Sequence, residues 1–234
     1  DRIRSRGLGD VYKRQYKTQN SMSEIKFEWE SGIEEVCSKL KDKKLIGIQL
    51  PDGLKVKSHT ITKKIKDLTG ANVILWGEPT YGACDLADRP LEEVGADALI
   101  HLGHMPMPYH SEFYAIPTYF VPVKHTGKLN LKDQSLEKIR KMLPKKIGIV
   151  TTAQHLHMID EATEKLEDIG FDASVTKGGP RLAAAGQLLG CNSSSARRLK
   201  VDGYLYIGTG LFHPLTVALS LSLIHISEPT RPNT

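Results

Sequence analysis

The sequence predicts an α/β fold made of two homologous domains, each with a parallel sheet. Three observations lead to this prediction: short aliphatic runs typical of buried strands, amphipathic helices between them, and a second occurrence of the whole pattern. Ile147 follows Ile46 by 101 residues at the first strands, and Asp202 follows Asp97 by 105 at the last. We therefore place the first domain at residues 22–123 and the second at 124–220, joined through the stretch 117–130.

The first copy opens with a helix marked by apolar residues at helical spacing, Ile33, Val36, Cys37 and Leu40. The aliphatic run 45–50 predicts a buried strand that ends at the turn signal Pro51-Asp52-Gly53. A helix over 61–68, stopped by Gly70, and strands at 73–76 and 98–102 follow. This alternation is typical of parallel βαβ units whose helices cover the faces of the sheet.

The second copy has the same order of elements. Strands are predicted at 147–150, 173–175 and 202–210, with a helix over 159–169 stopped by a glycine. Each copy also carries a cysteine at the same place, because Cys84 lies 13 residues before Asp97 and Cys191 lies 11 residues before Asp202. The duplication thus includes a potentially reactive side chain as well as the fold.

The composition excludes several classes of protein. A chain of 234 residues that is 25% charged can bury a core but has no apolar run long enough to span a bilayer. Residues 1–15 carry +3 of the net charge of +5, so the rest of the chain is close to neutral. It therefore lacks the positive charge needed to bind the phosphates of nucleic acid. Three cysteines cannot form a disulfide framework. We therefore expect a soluble cytoplasmic protein without direct nucleic-acid or membrane contacts.

The two ends of the chain differ from the body. GLGDVYKRQ (7–15) and SLIHISEPTRP (222–232) resemble translated sequencing-adapter read-through, and neither continues the periodicity of its neighbour. We therefore expect residues 1–21 and 221–234 to stand outside the fold, with Met22 as the native start. The alternative is a disordered basic arm and a polar tail.

Cys84 and Cys191 are the candidate metal ligands. Each lies in a loop of small residues, YGACD (81–85) and LGCNS (189–193), where glycine allows the backbone to approach a bulky group. Ligands of parallel α/β units gather at the carboxyl ends of the strands, and thiolates that converge there suit a soft metal or an iron–sulfur cluster. Spacing alone leaves a structural role equally open, since there is no C-x-x-C pair. Cys37, on an apolar helical stripe, is expected in the core.

Four motifs in this order resemble the 2-(3-amino-3-carboxypropyl)histidine synthase family of diphthamide biosynthesis, especially its archaeal form. They are PDGLK (51–55), YGACDLAD (81–88), HLGH (101–104) and GQLLGCN (186–192), and the resemblance covers about 46–219. It implies three related α/β domains around a pseudo-threefold axis, each giving one cysteine to a single 4Fe–4S cluster. By matching motifs, Cys84 and Cys191 are the first and second ligands. The third domain is absent here, which fits truncation near Ser220.

The resemblance also implies a reaction and its partners. In this non-classical radical chemistry, the reduced cluster passes an electron to the sulfonium of S-adenosylmethionine, and the bond from sulfur to the γ-carbon breaks. The 3-amino-3-carboxypropyl radical then adds to a histidine ring carbon of translation elongation factor 2. A homodimer and a separate electron donor are further expectations. No side chain of this chain is assigned to catalysis itself.

Gln49, Asp52, Gly53 and His104 are predicted to bind the cofactor. The first three lie at the carboxyl end of a strand, where a polar ligand tail could bind, and His104 follows another strand. Structural alternatives stay open: Asp52 could instead stabilise the turn, and a histidine in a strand–turn corner more often makes structural hydrogen bonds. Asp85 and Asp88 could orient a ligand, but a role in capping the helix after Cys84 is favoured.

Three other functions compete with the transferase. A partner subunit of the same family would hold a cluster without performing the transfer. Quinolinate synthase has a similar threefold plan and three cluster cysteines, but the YGACD and PDGLK strings argue against it. A plain nucleotide-binding protein predicts no iron, and Gly208-Thr209-Gly210 lacks the rest of a G-x-G-x-x-G motif. We expect the 234-residue chain alone to fail to hold a stable cluster, because one ligand and one cleft wall are missing.

Overall fold

The structure, a computed structural model, describes residues 27–28, 30–108, 113–129 and 131–221. The predictions for segments 1–21 and 222–234 therefore lie outside the described residues. In chain order the elements are β1 (Phe27–Glu28), α1 (Glu30–Ser38), β2 (Leu45–Gln49), α2 (Asp52–Lys55), α3 (Ser58–Thr69), β3 (Asn72–Leu75), α4 (Asp88–Glu93), β4 (Ala98–Leu102), β5 (Thr118–Val121), β6 (Lys124–His125), α5 (Asp133–Met142), β7 (Lys146–Thr151), a 3₁₀ helix (Ala153–Met158), α6 (Ile159–Asp168), β8 (Asp172–Ser174), α7 (Ser194–Arg197), β9 (Gly203–Ile207) and α8 (Phe212–Ser220).

The first sheet has four parallel strands in the order β3-β2-β4-β5. Ile46 on the central strand β2 pairs with Val73 on one side and Ala98 on the other. Strands β2 and β4 are almost wholly buried because helices pack on their faces, which is why both are aliphatic runs with no polar alternation. The predicted parallel α/β class is confirmed for this part of the chain.

The second sheet has three parallel strands in the order β8-β7-β9, the same order as β3-β2-β4. The two central strands share a structural detail as well as a sequence pattern. A side chain at Gly47 would press on Leu91 Cδ1 at 2.7 Å, and one at Gly148 would press on Leu199 Cδ1 at 2.8 Å. In both sheets a mid-strand glycine therefore lets the covering segment pack directly on the backbone.

The stretch 117–130, predicted only as a join, contains two strands. β5 extends the first sheet in parallel with β4, and β6 pairs antiparallel with β1. β5 carries aromatic and β-branched residues, and Val121 is fully buried, so tertiary pairing with the open edge of β4 outweighs the flanking proline signals.

The predicted turn at Pro51 is followed by a four-residue helix, α2, and proline is well tolerated at the start of a helix.

Two helix ends follow the sequence prediction. α3 ends at Gly70, which has φ +74°, and the segment after α6 turns at Gly170, which has φ +87°. Both are left-handed conformations that favour glycine. Across the described ranges, none of the helices is both long enough and apolar enough to cross a membrane.

Candidate functional site

The Cys84 loop lies between β3 and α4, and hydrogen bonds fix its backbone on both sides of an exposed thiol. The Asp85 N–H donates to the Gly82 carbonyl at 3.1 Å, and the Tyr81 N–H donates to the Asp85 carboxylate at 3.0 Å. The Gln49 side chain, from the end of β2, donates to the Asp85 carbonyl at 2.6 Å. The loop therefore presents Cys84 to solvent while its own backbone is held against the sheet.

The Cys191 loop is fixed by different contacts and also exposes its thiol. Leu189 and Asn192 exchange two backbone hydrogen bonds of 3.0 Å around Gly190 and Cys191. Thr216 on α8 donates to the Gly190 carbonyl at 3.1 Å, and Gly190 packs so closely on the Phe212 ring that any side chain there would overlap it. Glycine before the cysteine is thus required by the approach of α8.

His104 lies beside Gly103, where the two sheets meet. Burial lowers the pKa of His104 to about 4, with the negative Asp85 carboxylate opposing this shift and His213 adding to it. The two sheets also meet directly here, because the Gln154 amide donates to the Gly103 carbonyl at 3.3 Å. Both thiols are exposed rather than buried in a sheet interior, and this hydrogen bond joins the two sheets.

A chain of polar side chains runs from the Cys84 loop to this junction. His101 Nδ1 lies 2.9 Å from Gln49 Oε1, and His101 Nε2 lies 2.9 Å from His104 Nδ1. Gln49 and His101 are both buried, and the His101 ring packs against Phe120. Burial lowers the pKa of His101 to about 3 and that of His104 to about 4, so both imidazoles are neutral at pH 7.

The other predicted site residues occupy distinct places. Asp52 is exposed and forms an ion pair with Lys55 at 2.7 Å, and Gly53 borders open space at the start of α2. Gln49 is 1% exposed, with its amide engaged by the protein, whereas His104 reaches the junction. Cofactor binding by these four residues, and metal ligation by the two cysteines, remain predictions.

Asp85 and Asp88 do not cap the helix after Cys84, contrary to the sequence prediction. α4 follows Ala87 without a side-chain cap. The Asp88 carboxylate instead accepts a hydrogen bond of 2.7 Å from the Ala115 N–H, and Asp85 accepts from Tyr81. Both carboxylates therefore fix loops: Asp85 accepts from a backbone N–H within its own loop, and Asp88 accepts from one that tertiary packing brings to it.

The two site cysteines should react differently from Cys37. Cys37 is 1% exposed, and burial raises its pKa to about 11, whereas Cys84 and Cys191 are exposed. Since alkylation requires an accessible thiolate, we expect iodoacetamide to modify two thiols rapidly and the third only after unfolding. Mass spectrometry of peptides from the native chain measures this. Rapid native labelling of Cys37 would contradict the structure.

Gly103, at the junction, should tolerate no side chain. It has φ +89°, and a Cβ would lie 2.6 Å from Pro51 Cγ. We expect Gly103→Ala to lower the free energy of unfolding by about 2–4 kcal/mol, from left-handed strain and overpacking together. Gly70→Ala is the matched control, because Gly70 has φ +74° with open space around it. Equal losses in urea unfolding of the two variants would show that the Pro51 contact is unimportant.

Sequence reasoning missed the partners of the candidate residues. Gln49 is a single polar residue at the end of an aliphatic strand. Because buried polar groups are normally hydrogen-bonded, its position was the one sequence signal that a buried partner exists. Gln154 and His213 carried no such signal, because they reach the junction only through the packing of the two sheets. No group of three or more His, Cys, Asp or Glu side chains suited to a metal ion occurs within the described part of the chain.

Fold and site together define a parallel α/β protein that exposes one cysteine thiol from each of two sheet units with the same strand order. A family model described as "Putative diphthamide synthesis protein" matches residues 50–233. The chain belongs to this diphthamide synthesis family.

Its relatives include the 2-(3-amino-3-carboxypropyl)histidine synthase of Pyrococcus horikoshii, 42% identical over 77% of this chain and 53% of the relative. The synthase subunit 1 of Bos taurus is 30% identical over 76% of this chain and 40% of the relative. A crystal structure of Dph2 from Pyrococcus horikoshii with a 4Fe-4S cluster matches with a TM-score of 0.70 and 40% identity, covering 80% of this chain and 54% of that one. The chain thus spans about half the length of these relatives.

Proposed function

We propose that this chain forms part of a 2-(3-amino-3-carboxypropyl)histidine synthase, which transfers the 3-amino-3-carboxypropyl group of S-adenosylmethionine to a histidine of translation elongation factor 2. The observation that carries the proposal is the pair of exposed thiols, one from each of two sheets with the same strand order, in a chain 42% identical to an archaeal synthase. Membership of the diphthamide synthesis family argues against the quinolinate synthase alternative.

In this proposal Cys84 and Cys191 are two of three thiolate ligands of a 4Fe–4S cluster. Two accessible sulfurs suit iron, and no nearby described imidazole or carboxylate group completes a ligand set. A third related unit, around a pseudo-threefold axis with the units at 22–123 and 124–220, would supply the third thiolate. Three protein ligands leave one iron open for the substrate.

The last described helix supports a further unit beside the Cys191 loop. α8 exposes a row of apolar side chains, Phe212, Leu215 and Leu219, and Leu211 just before the helix is exposed as well. Exposure of such an apolar row to water is unfavourable, and a further unit packed on it would bury it. The proposal places that unit next to Gly190, against which Phe212 already packs.

The cluster, when bound, would supply the electron that cleaves the sulfonium and releases the 3-amino-3-carboxypropyl radical. This chain's own residues would hold and orient the reactants. The Gln49 contact with the Asp85 carbonyl fixes the backbone beside Cys84, and Thr216 fixes the backbone beside Cys191. Gly103 and Gln154 hold the two sheets together at the junction.

The transferase is favoured over a non-catalytic partner subunit. The archaeal relative, whose name specifies no subunit, is 42% identical, against 30% for the bovine protein named subunit 1. We further propose that the whole enzyme is homodimeric and cytoplasmic and receives electrons from a separate donor, as the family resemblance implies.

The test is a transfer assay with the complete gene product, prepared without oxygen and reduced chemically. S-adenosylmethionine labelled in its carboxypropyl carbons is expected to label elongation factor 2, whereas methyl-labelled S-adenosylmethionine is not. Replacement of the target histidine in the factor is the matched control. A cluster-loaded product that labels the factor only when a second family member is added would establish the partner-subunit alternative instead.

A further inference from the structure

The orientation of the Gln49 amide is fixed by two backbone groups. Its Nε2 donates to the Asp85 carbonyl at 2.6 Å, and its Oε1 accepts from the Ala87 N–H at 3.1 Å. A flipped amide would set a donor against the Ala87 N–H and an acceptor against the Asp85 carbonyl, so the flip is excluded. Gln49 therefore presents an oxygen, which can only accept, to His101.

This orientation determines the proton positions on both histidines. His101 Nδ1, 2.9 Å from Gln49 Oε1, must carry a proton. A neutral His101 then has its lone pair on Nε2, so His104 Nδ1, 2.9 Å away, must donate to it. A neutral His104 consequently carries its own lone pair on Nε2. Burial keeps both rings neutral at pH 7.

The surroundings of His104 select the kind of ligand that this lone pair can accept. The negative carboxylate of Asp85, beside Cys84, acts electrostatically on His104. His213 also acts on His104, and burial lowers the pKa of His213, which favours its neutral form. A lone pair and a carboxylate together attract a cationic N–H donor and repel a carboxylate or a phosphate. No described residue donates a hydrogen bond to His104 Nε2.

We propose that His104 Nε2 accepts a hydrogen bond from a protonated amino group of the ligand, that the negative Asp85 carboxylate favours this positive charge electrostatically, and that His101 is the positioning residue that holds His104 in the required tautomer. This inference rests on the proposed function in one respect, because the ammonium group is then that of the methionine moiety of S-adenosylmethionine. Gln49 accordingly acts on the ligand through the two histidines rather than by touching it.

The first test reads the tautomers directly in the chain as it stands. Two-dimensional long-range ¹H–¹⁵N NMR of the ¹⁵N-histidine-labelled chain should show both His101 and His104 protonated at Nδ1 only. Gln49→Glu, which retains an acceptor oxygen for His101, should preserve this state. His104 protonated at Nε2 in the wild-type chain would overturn the inference whether or not the protein is a transferase.

The second test measures binding to the complete gene product by calorimetry without oxygen. S-adenosylmethionine should bind about tenfold or more tightly than its analogue lacking the amino group, as expected for a hydrogen bond to a charged donor. His104→Phe should remove this preference, His101→Phe should reduce it, and His104→Gln, whose amide oxygen can replace the lone pair, should retain part of it.

The outcomes separate the two proposals. Equal binding of both compounds by the wild-type protein would overturn the ammonium site and leave the transferase proposal standing. Binding of neither compound would overturn both. An unchanged preference in His104→Phe would place the ammonium group elsewhere.

Discussion

Replacing Cys84 or Cys191 by alanine will abolish stable iron loading of the complete gene product. Prepared without oxygen, the wild-type protein is expected to bind about four irons per chain, as one 4Fe–4S cluster. Each variant should retain less than one, because two remaining thiolates cannot hold the cluster against competing solvent and chelators. Iron and sulfide analysis, with the visible absorption of the cluster, measures the result.

Cys37→Ala is the matched control for this experiment. Cys37 lies in the core formed by α1 and the first sheet, so its loss should lower stability slightly and leave iron binding unchanged. Circular dichroism of all three variants at pH 7 separates loss of ligand from loss of fold. Full cluster retention by both Cys84→Ala and Cys191→Ala would refute the ligand assignment.

Acid will destabilise the chain well before its carboxylates titrate. His101 has a folded-state pKa of about 3, against about 6.5 when unfolded, so below pH 6.5 the unfolded state binds more protons. The stability conferred by neutral His101 is fully present above pH 6.5 and is lost progressively as the pH falls toward 3. At pH 5 the buried His101 ring should lower the free energy of unfolding by about 2 kcal/mol. His104 and His155, with pKa values of about 4, should lower it further.

Urea unfolding at pH 7, 6 and 5 measures this dependence. His101→Gln should weaken the slope of the unfolding free energy against pH, whatever its effect at pH 7. His59→Gln is the matched control, because His59 is exposed on α3 and should leave the slope unchanged. A wild-type slope near zero between pH 6.5 and 5 would mean that His101 is not buried as a neutral ring.

The order of strands and helices was predictable because it depends on local periodicity. β2, β4 and β7 are aliphatic runs, and glycine ends α3 in the conformation that a helix stop requires. β5 was missed because its strand character depends on the free edge of β4. Pairing between segments far apart in the sequence leaves little trace in either segment alone.

Periodicity and short motifs involve neighbouring residues, so the duplicated parallel α/β plan, the two cysteines in matching loops and the family could be predicted from the sequence. The support of the Cys84 loop by Gln49, and the hydrogen-bonded chain of His101 and His104 that ends at the junction of the sheets, became visible only in the folded structure. Those contacts join residues 36 and 52 positions apart. Their geometry exists only after the strands have paired and water has been removed from the rings, which also keeps the histidines neutral.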